Sequence, residues 1–208
     1  MPTSSKEQSL PHWDMTVVYP SLESPEFQSA FQSVTGSIDR LTQLFQERGI
    51  GKQAPAPLTP ETVQVFETIV NAFNAMLEEV RTVTAYITSF VATDSRNNLA
   101  QAKLSEFQKN NVRLSLLSTR LTAWIGSLDV EELIARSPSA RDHAFMLRKA
   151  KIEAEHLMSP AEEELAAELR VTGSTAWIRL HSNFTSQLTV DLELDGKPQS
   201  LPMSVVRN

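Results

Sequence analysis

The chain of 208 residues contains no cysteine. That absence excludes disulfides, thiolate zinc sites and a cysteine nucleophile, and it fits a reducing compartment. Glycine is scarce, with six in the whole chain, so little of the backbone is set aside for turns. No apolar run approaches the ~20 residues that a membrane-spanning helix needs. The opening MPTSSKEQSLPHW is polar and holds no apolar segment of signal-peptide length. A basic surplus is missing too: the formal net charge is -6, which argues against nucleic acid as a partner. These absences lead to the expectation of a cytoplasmic protein with no membrane partner.

What is present is helical. Residues are 41% hydrophobic and 21% charged, ordinary for a globular chain and too apolar for disorder. Residues 1–12 read as a loose arm. Ser24 followed by Pro25 has the form of an N-cap and first helical residue. Phe27, Phe31, Val34, Ile38, Leu41 and Phe45 then recur in steps of three and four, so the spacing predicts one apolar face on a helix ending near Gly49.

GIGKQAPAPL has prolines, glycines and no apolar period, which makes it a linker. Thr59 and Pro60 repeat the cap pattern. Val63, Phe66, Val70, Phe73, Leu77, Val80, Ile87 and Val91 fit a seven-residue repeat, with Thr84 in the remaining slot. ATDSRNN ends that helix of roughly thirty residues, about 45 Å at ~1.5 Å per residue. A second long helix carries Leu99, Phe107, Leu114, Leu117, Leu121 and Trp124, with Asn110 on the same face. Asn110 reads as a partly buried polar group satisfied by a neighbour or water. Two such helices with a short connection predict an antiparallel hairpin. The faces are rich in Phe and lack a steady Leu/Ile seam with charged flanks, which favours an intramolecular bundle over a dimerisation zipper.

After GSLDVEELIARSPS the spacing predicts shorter helices. One covers 139–156 with Ala144, Leu147, Ala150, Ala154 and Leu157 inward; others begin after Ser159 and after Ser174. Leu188, Val190, Leu192 and Leu194 alternate with polar residues, and Asp195-Gly196 is a hairpin turn pair. A small two-stranded ribbon therefore follows the helices. MSVVRN reads like the start of another element. The fold class is mainly α: a long antiparallel helical hairpin or bundle, then shorter helices and a small C-terminal β-hairpin. The expected division is an arm over 1–12, a long-helix part over 13–126 and a second part over 127–208.

The stretch EHLMSPAEEE is the one place where metal-ligand residue types crowd together. Ser159, Pro160, Glu162, Glu163 and Glu164 are accounted for as a cap, a first residue and first-turn carboxylates facing the helix dipole. His156 then ends the preceding helix. Glu153 and His156 form a single E-x-x-H, whereas di-iron bundles need two copies. None of His12, His143, His156 and His181 begins an H-E-x-x-H. G-x-S-x-G and Gly-rich phosphate loops are also missing. No catalytic, cofactor-binding or metal-binding residue is assigned within this chain.

Two stretches resemble a known family. WDMTVVYPSLESPEF resembles the opening of oligoendopeptidase F and its relatives, the bacterial branch of the thimet-type zinc metallopeptidases: a Trp-Asp pair, a Tyr-Pro and an acidic spacer into a long helix. AEHLMSPAEEELAAELRVTGSTAWIRLHSNFTSQLTVDL resembles the same family's N-terminal domain, with His-Leu, Ser-Pro-Ala-Glu-Glu, Thr172-Gly173, Ala176-Trp177 and Leu180 in order. Gly173 is expected to end one helix in a left-handed conformation and Ser174 to cap the next. Trp177 is expected to anchor the core between helices.

The resemblance implies an N-terminal segment of a zinc metallo-oligoendopeptidase for short peptides. Family members carry H-E-x-x-H and a further glutamate in a C-terminal domain, and no position here matches those residues. The implied partners are that catalytic domain, in the same polypeptide, and an oligopeptide substrate. The implied cofactor is zinc in the parent enzyme, with none held by this chain. The segment's implied task is to form part of a substrate-channel wall and support the catalytic domain, inactive alone; the end at Asn208 is expected to be a truncation before that domain. The alternatives are a free-standing helical interaction module and an oligomerising helical protein.

Overall fold

A computed structural model describes residues 13–194 and 196–206. The expected arm over 1–12, with His12, lies outside the described residues, as do Asp195 and the final Arg207 and Asn208. The described chain is mainly α, with one small antiparallel sheet. Among the described residues no helix is long and apolar enough to cross a membrane.

Three long helices make the first unit. Helix α1 spans Pro25–Glu47, α2 spans Pro60–Thr93 and α3 spans Asn98–Ser127. Each begins as its sequence dictates. Ser24 Oγ accepts from the Phe27 amide at 3.2 Å, Thr59 Oγ1 from the Thr62 amide at 3.1 Å and Asn97 Oδ1 from the Ala100 amide at 3.0 Å. Such caps stabilise a helix by about 1 kcal/mol each. Gly49 follows the end of α1 with a φ of 60°, a left-handed conformation that costs a glycine little.

Aromatic contacts fix the directions. Phe66, near the start of α2, stacks on Trp124, near the end of α3, so these two helices run antiparallel. Phe45 meets Phe73 and Phe27 meets Tyr86, so α1 is also antiparallel to α2. Between α1 and α3 the pairs Phe31–Phe107, Thr35–Asn110 and Asp39–Arg113 keep sequence order, which makes those two parallel. The expected hairpin is therefore one side of a three-helix bundle.

The bundle explains where the expected faces were too narrow. Helix α2 touches both α1 and α3, so it buries two stripes. Phe66, Val70, Phe73, Val80 and Ile87 are joined by Ile69, Met76, Val83 and Tyr86. The Thr84 hydroxyl, in the open slot of the repeat, is buried without a hydrogen-bond partner. On α3, Leu99 is exposed and Ala100 is buried in its place, a shift of one position at the helix start. Asn110 is buried, and its amide donates to Thr35 Oγ1 at 3.1 Å, as expected for a satisfied polar group.

The middle of the chain departs from its reading in two ways. GSLDVEELIARSPS contains a helix, α4, over Val130–Arg136, capped by Asp129. The single helix expected over 139–156 is two, α5 over Pro138–Asp142 and α6 over Ala144–Ala154. The break is at His143, whose φ of -103° and ψ of 15° leave the helical region. Its imidazole Nε2 lies 3.2 Å from the Asn74 amide on α2, a tie that straight continuation of the helix does not provide. Leu147 is buried as expected, and Ala144, Ala150, Ala154 and Leu157 are half-buried. The core is continuous from α1 through Leu133, Ala140 and Leu147.

Helix α7 spans Pro160–Thr172 and α8 spans Ser174–Ser186. Gly173 between them has a φ of -90°, so it is not left-handed, and it occupies the cap position expected of Ser174. Ser174 is the first helical residue, and α8 has no side-chain cap. Strands β1 (Thr189–Leu194) and β2 (Lys197–Pro202) pair antiparallel with Leu194 opposite Lys197. Gly196 supplies the positive φ of 71° that the two-residue turn requires. One further turn, α9 over Met203–Val206, follows where MSVVRN suggested another element.

Candidate functional surface

The crowded stretch around Ser159 is a helix start. The Ser159 hydroxyl donates to Glu162 Oε2 at 2.6 Å and its amide to the same oxygen at 2.9 Å, one half of a capping box. The hydroxyl bond, then the amide bond, hold the Glu162 carboxyl below the usual glutamate range. Glu163 Oε1 accepts from the Met158 amide at 3.0 Å. Glu153 pairs with Lys149 at 3.2 Å on α6. His156 lies exposed just past the end of α6, its amide bonded to the Glu153 carbonyl. These groups each face a different local partner. Among the described residues no cluster of three or more histidine, aspartate and glutamate side chains is arranged to hold a metal, so the donor set present here does not fit a zinc ion. His143 is tied to Asn74, and His181 is exposed on α8.

The informative surface is apolar. Trp177 is 69% exposed and Leu180 57%, which overturns the expectation that Trp177 anchors the core. The two do share a face of α8, as their three-residue step requires, and Phe184 continues it four residues on. Ile178 adjoins them, also exposed. On α7, Leu165 and Leu169 stand one turn apart and are both exposed. The opposite side of α8 is fixed to the bundle: Arg179 donates to Ser105 Oγ at 2.9 Å, and Ser186 Oγ lies 2.9 Å from Ser95 Oγ. The helix is thus held by polar contacts while its aromatic side faces away. Periodicity found the face, but it carries no information on what covers it. Exposed apolar groups in this number mark an interaction surface more often than a free one.

Two of the larger concavities border the shorter helices. One, of about 750 Å³, lies between Pro55–Leu58, α4 and α6. Its cations are already committed. Arg148 makes a bidentate pair with Glu131 at 2.7 and 2.9 Å, while Lys151 donates to the Gly126 and Leu128 carbonyls at 2.6 and 2.9 Å. The hydrogen bond from Arg148 holds Glu131 low, and the same bond raises Arg148. The other, of about 540 Å³, lies between α1, α3 and the start of α7.

Comparison with known proteins locates the resemblance. Residues 125–189 match the family model described as oligopeptidase F, its N-terminal domain. The matched segment takes in the last residues of α3, all of α4–α8 and the first residue of β1. It contains most of the AEHLMSPAEEELAAELRVTGSTAWIRLHSNFTSQLTVDL stretch and leaves WDMTVVYPSLESPEF outside. In that earlier stretch the Tyr19 carbonyl accepts from the Tyr86 hydroxyl at 2.8 Å, which fastens the entry segment to α2. Burial, then the nearby Tyr19, raise the Tyr86 hydroxyl above the ordinary tyrosine value. No curated protein and no solved structure matches the chain. The matched segment includes every exposed apolar residue of α7 and α8 described above.

Proposed function

We propose that this chain is the N-terminal segment of a zinc metallo-oligoendopeptidase that hydrolyses short peptides. In this reading it forms part of the substrate-channel wall, supports the catalytic domain and is inactive alone. The supporting observation is a coincidence of two facts: the family match over 125–189 falls on the helices whose apolar faces are open. A catalytic domain seated on α7 and α8 would cover Trp177, Leu180 and Phe184 and remove that surface from water, a gain of about 25 cal/mol per Å². In this reading zinc and its ligands belong to that domain, which accords with the lack of a converging donor cluster among the described residues. The reading places the protein in the cytoplasm, with peptides as substrate.

The test is recovery of the native product from its source cell with an antibody against residues 125–189. The expected product is heavier than 23.2 kDa and cleaves a quenched fluorescent oligopeptide until a chelator removes its zinc. The isolated 208-residue chain should cleave nothing. A native product of 23.2 kDa with no associated peptidase activity would refute the reading and leave a helical interaction module.

A further inference from the structure

The cavity of about 540 Å³ between α1, α3 and the start of α7 carries an arginine that makes no ion pair among the described residues. Arg120 is half-buried. Its Nε and Nη2 donate to the Ile50 carbonyl at 3.1 and 2.9 Å, and its guanidinium lies 5.6 Å from the centre of the Phe45 ring. Those contacts hold the group in place. They leave its positive charge without a carboxylate among the described residues, in contrast to Arg113, paired with Asp39, and Arg148, paired with Glu131. A fixed, half-buried guanidinium with N–H groups to spare is a preorganised donor to a carboxylate. Lys52, also lining the cavity, has no ion pair among the described residues and adds a second positive charge.

The remaining walls define the rest of a ligand. Ile50, Leu116, Leu117, Ala123, Leu157 and Met158 make most of the lining apolar. Glu163 comes from the first turn of α7 and Glu164 follows it. Glu163 has one oxygen on the Met158 amide, and the Glu164 side chain makes no hydrogen bond among the described residues. The cavity therefore offers cations from the α1–α2 linker and α3, apolar side chains, and carboxylates from α7. Its volume lies within the ~300–1,000 Å³ typical of small-ligand sites. Three extended residues span about 10 Å, a length suited to such a space.

We infer that this cavity binds a short apolar peptide with free termini, its carboxylate at Arg120 and Lys52 and its ammonium at Glu163 and Glu164. A peptide is chosen among apolar zwitterions because of the proposed peptidase function, and that choice rests on that reading; the charge pattern does not. Lining groups of both signs select against fatty acids, which bring no cation for the glutamates, and against amines, which bring no anion for Arg120.

The experiment is calorimetric titration of the 208-residue chain with trileucine, trileucine amide, N-acetyl-trileucine, triglycine and octanoate. Trileucine is expected to bind. The amide should bind on the order of tenfold more weakly, because a charge-assisted bond to Arg120 is lost. Acetylation and triglycine should each weaken binding, and octanoate should bind less tightly than trileucine. Arg120→Gln should abolish the difference between trileucine and its amide. Lys52→Gln and Glu164→Gln, at exposed positions, should reduce affinity with the melting temperature unchanged. Equal binding of trileucine and its amide, absence of trileucine binding at millimolar concentration, or octanoate equal to trileucine would each overturn the inference. Binding is read without turnover, so a negative peptidase assay on the native product would not alter these outcomes.

Discussion

The two ends of this molecule use the same kind of sequence to opposite effect. In the three-helix bundle, Phe27, Phe45, Phe66 and Phe107 are fully enclosed. In α8, Trp177, Ile178, Leu180 and Phe184 stand in solvent, although their spacing is as helical and their side chains as large. Helices α7 and α8 contain no buried residue at all. The bundle is closed because α1, α2 and α3 each meet the other two. Helix α8 is fixed to α3 through Arg179 and to the turn before α3 through Ser186, and those polar contacts leave the aromatic side uncovered. An amphipathic pattern thus states that a face requires a cover without stating where the cover comes from.

Breaking the closed end should produce the largest effect. Phe66→Ala removes a ring wholly enclosed between α2 and Trp124, and should cost ~3–5 kcal/mol in urea unfolding. A cost near that of a surface change would mean the bundle is not the stable half. Next comes the joint between the bundle and the matched segment. A Cβ on Gly126 would sit 2.3 Å from the Ala154 Cβ, so α3 and α6 must move apart to accept one. Gly126→Ala should lower stability by about 1–3 kcal/mol in the same measurement, whereas Ala154→Gly should partly restore the double variant.

At the open end, Trp177→Ala should change the stability of the isolated chain by no more than ~0.5 kcal/mol. The same substitution should weaken assembly with a catalytic domain, read as loss of co-purification. A large loss of stability in the isolated chain would show that Trp177 is covered after all. The smallest effect concerns the start of α7. Glu162 is held low by the Ser159 hydroxyl and amide, so its contribution is complete above the usual value of 4.5 and is lost as pH falls through the lower folded value. Amide exchange at α7 should therefore accelerate in that acid range relative to α2, and Glu162→Gln should remove the pH dependence. Unchanged exchange across the range would mean the capping box does not persist in solution.

Much of the bundle was legible because the relevant forces are local. Ser24-Pro25, Thr59-Pro60 and Ser159-Pro160 each begin a helix, since a side-chain oxygen and a missing proline N–H act within one turn. The Asp195-Gly196 pair marked the ribbon for the same reason. The second buried stripe of α2 was not legible, because Ile69, Met76 and Tyr86 are inward only if a third helix is present. His143 reads as an ordinary helical residue until Asn74 of α2 is beside it. The cavity at Arg120 left no local trace either: Ile50, Arg120 and Glu163 lie far apart in the chain, and no spacing rule links them.

By itself the sequence determined the helical class, the starts of α1, α2 and α7, the ribbon and the resemblance of residues 154–192 to oligopeptidase F. Each of these depends on neighbours a few residues apart, or on the order of short motifs. Only the tertiary structure decided which apolar faces are buried, where the middle helix breaks and which arginine lacks a counter-charge. Those outcomes depend on which helices meet, and contact between distant segments is a property of the packed chain.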